Sequence, residues 1–241
     1  MKESVSLLLV LCGLTIGFIR DHIFVNIPKN WTDARGYCRE HYTDLSTVQS
    51  IEEQQILNLL LKLKVYTKST WIGLSRDMKN LTNFLWSDGD SYPFSQWEPG
   101  QPNNVNGNQH CVSILYTWYD NDCAMLSPFF CYNNIHLIKE KLTWEEALEY
   151  CKVHHNDLAS VPSDIQLQLI KTGTLEAKTD SVWTGLRFLA GEWFWVDGKP
   201  LGDQVTLPAC PVQPRRCGAR NTKTDKWENR DCEEKPNFLC N

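Results

Sequence analysis

Three absences narrow what this chain of 241 residues can do. No run of Lys or Arg stands out and the formal net charge is -5, so neither a nucleic-acid groove nor a polybasic membrane patch is expected. Beyond the N-terminus no apolar run is long enough to cross a bilayer. No nucleophile–base arrangement, phosphate loop or acid pair is visible, so the chain does not read as an enzyme. His154 and His155 do not make a metal site, because adjacent residues on a helix point in different directions.

What the sequence does have is ten Trp and ten Cys. Met1-Lys2 is followed by the apolar run VSLLLVLCGLTIG, shorter than the roughly 20 residues of a spanning helix. Residues 1–17 read as a secretory signal cleaved near Gly17, with an uncleaved signal anchor as the alternative. The mature chain is then expected to be soluble, secreted and extracellular, where disulfides persist. Cleavage removes Cys12 and leaves nine of the ten cysteines.

The sequence repeats itself. Trp31 with Ala34, Tyr37 and Cys38 is echoed by Trp144 with Ala147, Tyr150 and Cys151, an offset of 113. Trp71-Ile72-Gly73-Leu74 recurs as Trp183-Thr184-Gly185-Leu186 at 112, and Trp86-Ser87-Asp88-Gly89 as Trp195-Val196-Asp197-Gly198 at 109. Trp118, Cys123 and Cys131 return as Trp227, Cys232 and Cys240, again at 109. So many rare residues in one order mark a tandem duplication. The two domains are placed at 20–132 and 135–241, with a short linker near Tyr132-Asn134 that holds them at a fixed angle.

Each unit reads as helices first and strands afterwards, an α+β class. A first helix begins at Asn30 or Thr143, the second of these with Glu146 three residues on as a capping box. Another runs from about Ser50, with Glu52 and Glu53 at its positive end and Ile56, Leu59, Leu60 and Leu63 along one face. Its counterpart starts near Ser163 with a weaker apolar face. Short Trp- and Phe-rich runs between Gly, Asn and Asp read as strands, and most of the Trp as core. Cys38 and Cys131 bracket the first unit with Cys111 and Cys123 inside it; Cys151, Cys240, Cys217 and Cys232 repeat the scheme. Spacing alone leaves the connectivity open.

This order of Cys38, Trp71-Ile72-Gly73-Leu74, Cys111, Trp118, Cys123 and Cys131, found twice, resembles the C-type lectin-like domain. The resemblance implies two tandem domains of two helices and short antiparallel sheets, stapled by Cys38–Cys131, Cys111–Cys123, Cys151–Cys240 and Cys217–Cys232. In sugar-binding members a Ca²⁺ on a long loop chelates two sugar hydroxyls. Its ligands are a Glu-Pro-Asn or Gln-Pro-Asp triplet with a cis proline, a Glu before the third cysteine, and a Trp-Asn-Asp triplet.

Here Gln101-Pro102-Asn103 stands at the first triplet, Gln109 replaces the Glu, and Trp118-Tyr119-Asp120 replaces Trp-Asn-Asp. The triplet mixes the mannose-type and galactose-type forms, so it names no sugar. Asn121-Asp122 lies two residues late, and a local bulge would be needed to realign it. Ca²⁺ binds six to eight oxygens, and affinity follows the carboxylate count. With Asp120 the one retained charge, Ca²⁺ held by Gln101, Asn103 and Asp120 is expected to be weak, against the reading that the loop keeps its shape without metal. In the second domain the loop from Lys199 to Arg216 is read as lacking the triplet, and no Ca²⁺ is expected there. Arg215 and Arg216 read as solvated or as partner contacts.

The expected function is glycan or glycoprotein recognition through Gln101, Pro102, Asn103, Gln109 and Asp120, the alternative being a protein-binding module without sugar or calcium. Cys210 is left over and invites a disulfide-linked partner. Asn80 and Asn30 lie in Asn-X-Ser/Thr sequons; Asn80 is the better glycan candidate and Asn30 the better helix cap.

Overall fold

The computed structural model describes residues 18–241; the signal segment expected at 1–17, with Cys12, lies outside the described residues. The first repeat opens with strand β1 (Phe18–Lys29) and helix α1 (Trp31–His41). Asn30 caps that helix, its side-chain oxygen accepting from the Asp33 amide at 2.8 Å. Strand β2 (Asp44–Leu45) leads to α2 (Ile51–Leu63), capped by the Ser50 hydroxyl. Strands β3 (Thr70–Asp77) and β4 (Asn80–Trp86) form a hairpin. After a long loop come β5 (Gln109–Leu115), β6 (Thr117–Asp122) and β7 (Ser127–Ile138).

The second repeat follows the same order. Its helices are α3 (Trp144–His154), with the capping box of Thr143 and Glu146 formed, and α4 (Asp164–Gly173). Its strands are β8 (Ser181–Leu189), β9 (Glu192–Trp195), β10 (Cys217–Asn221), β11 (Trp227–Arg230) and β12 (Asn237–Cys240). The class is α+β, as the pattern implied. Disulfides join Cys38 to Cys131, Cys111 to Cys123, Cys151 to Cys240 and Cys217 to Cys232.

Repeated residues have repeated partners. The Trp31 and Trp144 indoles donate to the Ile72 and Thr184 carbonyls at 2.8 and 2.9 Å, and those of Trp71 and Trp183 to Lys29 and Leu142 at 3.0 and 3.1 Å. Gly73 and Gly185 follow these tryptophans because a Cβ there would stand 2.9 and 2.7 Å from the Leu45 and Leu158 carbonyl oxygens. Only a residue without a side chain lets the strand pass so close.

The expected linker at Tyr132-Asn134 is instead the middle of β7. One continuous sheet runs in the order β11-β10-β8-β12-β7-β3-β5-β6 through both repeats. β1 pairs antiparallel with β7 from Phe18↔His136 to Val25↔Phe129, so the backbone at 132–134 is paired with a strand rather than hydrated. The far half of β7 pairs with β12, Phe238↔Ile138 to Cys240↔His136. A linker needs exposed, unpaired backbone, and here there is none.

Three consecutive buried residues of β1 have partners in both repeats, Asp21 being the one bonded to the second. Arg20, with its side chain 3% exposed, bonds Glu53 at 3.3 Å and Asp90 on the α2 side. Asp21 accepts from the Gln166 side chain of α4 at 2.6 Å, and burial raises its pKa from 3.8 to about 6. His22 Nδ1 lies 3.0 Å from the Ser46 hydroxyl, which donates onward to the Cys131 carbonyl, so the ring nitrogen is the donor. Burial, reinforced by the nearby Arg20 charge, lowers the His22 pKa from 6.5 to about 3.

One helix face differs from its expected phase. The residues of α2 that enter the core are Gln54, Leu57 and Leu61, while Leu59 and Leu63 are 44% and 63% exposed. Gln54 is drawn inward because its side-chain oxygen accepts the Trp118 indole N–H at 2.6 Å. An apolar count alone does not register that demand, and α2 thus carries two apolar stripes.

Candidate functional site

The long loop between β4 and β5 is folded against itself. Asn104 and Asn106 have φ of 44° and 58°, left-handed values that asparagine tolerates, and a short 3₁₀ turn spans Val105–Gly107. The Val105 amide donates to the Gln109 side-chain oxygen at 2.7 Å and to Asn103 Oδ1 at 3.3 Å. The Gln109 amide donates to Asn104 Oδ1 at 3.0 Å. The side-chain oxygens of Asn103, Asn104 and Gln109 therefore staple the loop. Gln101 Oε1 is buried without a hydrogen-bond partner, and the Gln101–Pro102 bond is cis.

Asp120, on β6, sits beneath this loop with its side chain fully buried. Its Oδ1 accepts from the Asn103 amide at 3.0 Å, and its Oδ2 from the Asn104 amide at 2.8 Å and from Arg76 Nη2 at 2.6 Å. Arg76, 8% exposed, also donates to the Gln109 and Leu81 carbonyls at 3.0 and 2.8 Å, and its guanidinium lies over the Phe84 ring at 4.7 Å. A charge-assisted pair in which all three guanidinium nitrogens donate is among the stronger buried contacts a protein makes. The fold brings together Gln101, Pro102, Asn103, Gln109 and Asp120, and adds Arg76, which motif reading missed.

A bulge does occur between β5 and β6, where the register shifts between Gln109 and Cys111. It does not turn Asn121 toward the loop. Asn121 donates to the Ser113 hydroxyl at 2.8 Å, and Asp122 accepts from Asn108 at 2.8 Å. Tyr119 lies one residue from Asp120 on the strand and so faces the opposite side of the sheet.

The model of the C-type lectin domain matches this chain twice, at residues 27–133 and 140–241. The chain belongs to the C-type lectin domain family. A human secretory phospholipase A2 receptor is 26% identical to it, with 91% of this chain covered but 19% of the receptor. A human C-type mannose receptor 2 is 24% identical over 70% of this chain and 13% of its own length. The chain thus spans about a fifth or less of these relatives. Among solved structures, human lithostathine is 26% identical, covering 50% of this chain and 98% of its own at a TM-score of 0.45.

The second C-type lectin repeat has no complete triplet, only part of one. Its loop does hold the Gln-Pro pair: Gln213-Pro214 lies 112 residues after Gln101-Pro102, and its peptide bond is also cis. Arg215 follows where Asn103 stands in the first repeat, and its carbonyl accepts from Asn229 at 3.4 Å. The offset between the repeats carries this signal, although the third residue of the triplet differs. Strand pairing aligns Phe188↔Trp193 with Arg76↔Phe84, and Asn229 takes the place of Asp120. The ion pair of the first repeat is therefore replaced at both ends together.

Proposed function

We propose that this C-type lectin chain is an extracellular binding module that recognises a glycan or glycoprotein through the long loop of its first repeat, without calcium. One observation carries this reading: Asp120 is buried, paired with Arg76 and bonded to two loop amides. A calcium ion wants six to eight oxygens and favours carboxylates. Asn103 and Gln109 spend their side-chain oxygens on the loop, and Gln101 Oε1 is the one left over. Arg76 supplies the positive charge that a metal would otherwise bring, so these residues do not fit Ca²⁺. Secretion through residues 1–17, a glycan on exposed Asn80 and a disulfide partner at exposed Cys210 accord with this setting. Asn80 is better placed for a glycan than Asn30, which is engaged as a helix cap.

The relatives' names include a mannose receptor and a phospholipase A2 receptor, so both sugar and protein ligands are named among proteins similar to this chain. A protein ligand is the second reading, favoured by the engagement of Asp120 with Arg76 and two loop amides. A glycan array probed with and without EDTA tests the proposal. The expected signal survives EDTA and falls on Asn103→Ala. A signal abolished by EDTA sinks the calcium-free reading; binding to a glycoprotein that persists after its glycans are removed favours the protein ligand.

A further inference from the structure

The two repeats place α2 and α4 on either side of β1 and β7, and a cleft of about 750 Å³ separates them. Ile135 and Leu137 of β7, with Ile19 of β1, lie at its floor. Ile56 and Leu59 form one wall and Ile165 and Leu169 the other. The α2 wall is the second apolar stripe noted above, the one the core does not use: Gln54, Leu57 and Leu61 already face inward. On α4 it is Ile170 that enters the core, leaving Ile165 and Leu169, four apart, toward the cleft. A helix with one partner needs one stripe, so a second stripe on each of two facing helices implies a further occupant.

The rim decides what kind. Four carboxylates, Glu52, Glu53, Asp164 and Glu176, line it against Arg20 and Lys139. Both cations are engaged, Arg20 with Glu53 and Asp90, Lys139 with Glu176 at 2.6 Å. Glu52 and Asp164 are exposed and have no cationic partner among the described residues. An anionic amphiphile would meet these two acids with the bases already spent. A cationic amphipathic segment would meet complementary charge at both walls.

We infer that the cleft between the repeats is a second binding site, separate from the long loop, which takes a basic amphipathic helix of a partner protein. Its apolar stripe packs between α2 and α4 as a third helix would, and its flanking Lys or Arg reach Glu52 and Asp164. The site exists because the repeats are fused through β1 and β7; neither repeat alone supplies two walls.

The probe is a fluorescein-labelled Leu/Lys peptide of about 15 residues with a helical apolar stripe, compared with a scrambled Leu/Lys peptide and a Leu/Glu peptide of the same length. Fluorescence anisotropy is read on the purified, oxidised protein. The striped basic peptide should bind saturably, and Leu59→Arg, Leu169→Arg or Glu52→Lys/Asp164→Lys should each weaken it about tenfold or more. Leu59 is already 44% exposed, so Leu59→Arg leaves the core intact and carries the test even if Leu169→Arg fails to fold. Asn103→Ala, in the long loop, should leave peptide binding unchanged, which separates this site from the proposed ligand loop. Equal binding of the scrambled or Leu/Glu peptide, or unchanged affinity in Leu59→Arg, overturns the inference.

Discussion

Replacing Arg76 by Met keeps a flexible stem over Phe84 and removes the guanidinium. Asp120 then stays buried with two backbone amides and no cation. Removing one partner of a buried ion pair costs about 3–5 kcal/mol, and the two remaining amides place this case near 3 kcal/mol. For a chain of this size each kcal/mol moves Tm by about 2–4 °C, so a drop of about 6–12 °C is expected. Asp120→Asn added to Arg76→Met should recover part of that loss, because the uncompensated charge is gone; the second repeat has made the corresponding change with Phe188 and Asn229. Thermal unfolding followed by near-UV circular dichroism reads all of these variants. Calcium supplies a further arm: Arg76→Met frees Asp120, and calcium at ten times a Kd of about 1 mM would return about 1.4 kcal/mol. The parent protein should show no such rise. A Tm for Arg76→Met within about 2 °C of the parent, or strictly additive losses in the double variant, would refute the pairing.

Acid should act on β1 in two opposed ways. The neutral His22, with pKa lowered to about 3, contributes stability that is present above 6.5 and lost as pH falls; Asp21, raised to about 6, gains stability as it protonates between 6 and 3.8. Asp21→Asn should therefore unfold more easily at pH 5 than at pH 7.5, by about 2 kcal/mol, where the parent changes less; urea midpoints at the two pH values check this. Gly185→Ala drives a Cβ to 2.7 Å from the Leu158 carbonyl and should cost about 1–3 kcal/mol, read as a lower urea midpoint with unchanged slope. Exposed Cys210 should give a disulfide-linked dimer band on non-reducing gels that Cys210→Ser removes; a band unchanged by that substitution rules the pairing out.

Much of the fold was legible because the duplication presents each signal twice. Trp31 and Trp144, capped by Asn30 and Thr143, name the same helix start, and the glycines after Trp71 and Trp183 mark the same close crossing. The phase of α2 was not legible, since Gln54 is buried where it accepts from the Trp118 indole and donates to Asn58 and the Tyr116 carbonyl. Nor was the continuity of β7, because a strand shared by two repeats looks in sequence like the end of one and the start of the next. At the loop, Gln101-Pro102-Asn103 and Asp120 could be found from spacing to Cys111 and Trp118. Arg76 could not: it comes from β3, lies 44 residues before Asp120, and belongs to no motif. Its one trace in the sequence is the paired change to Phe188 and Asn229, visible only once the strands are aligned.

Calorimetric titration of the calcium-free protein with Ca²⁺ at neutral pH tests most directly whether Arg76 fills the place a metal would take. No saturable binding is predicted up to several mM, the weak end of extracellular calcium modules at about 1 mM. Stoichiometric binding with a Kd below about 1 mM, abolished by Asp120→Asn, would contradict it.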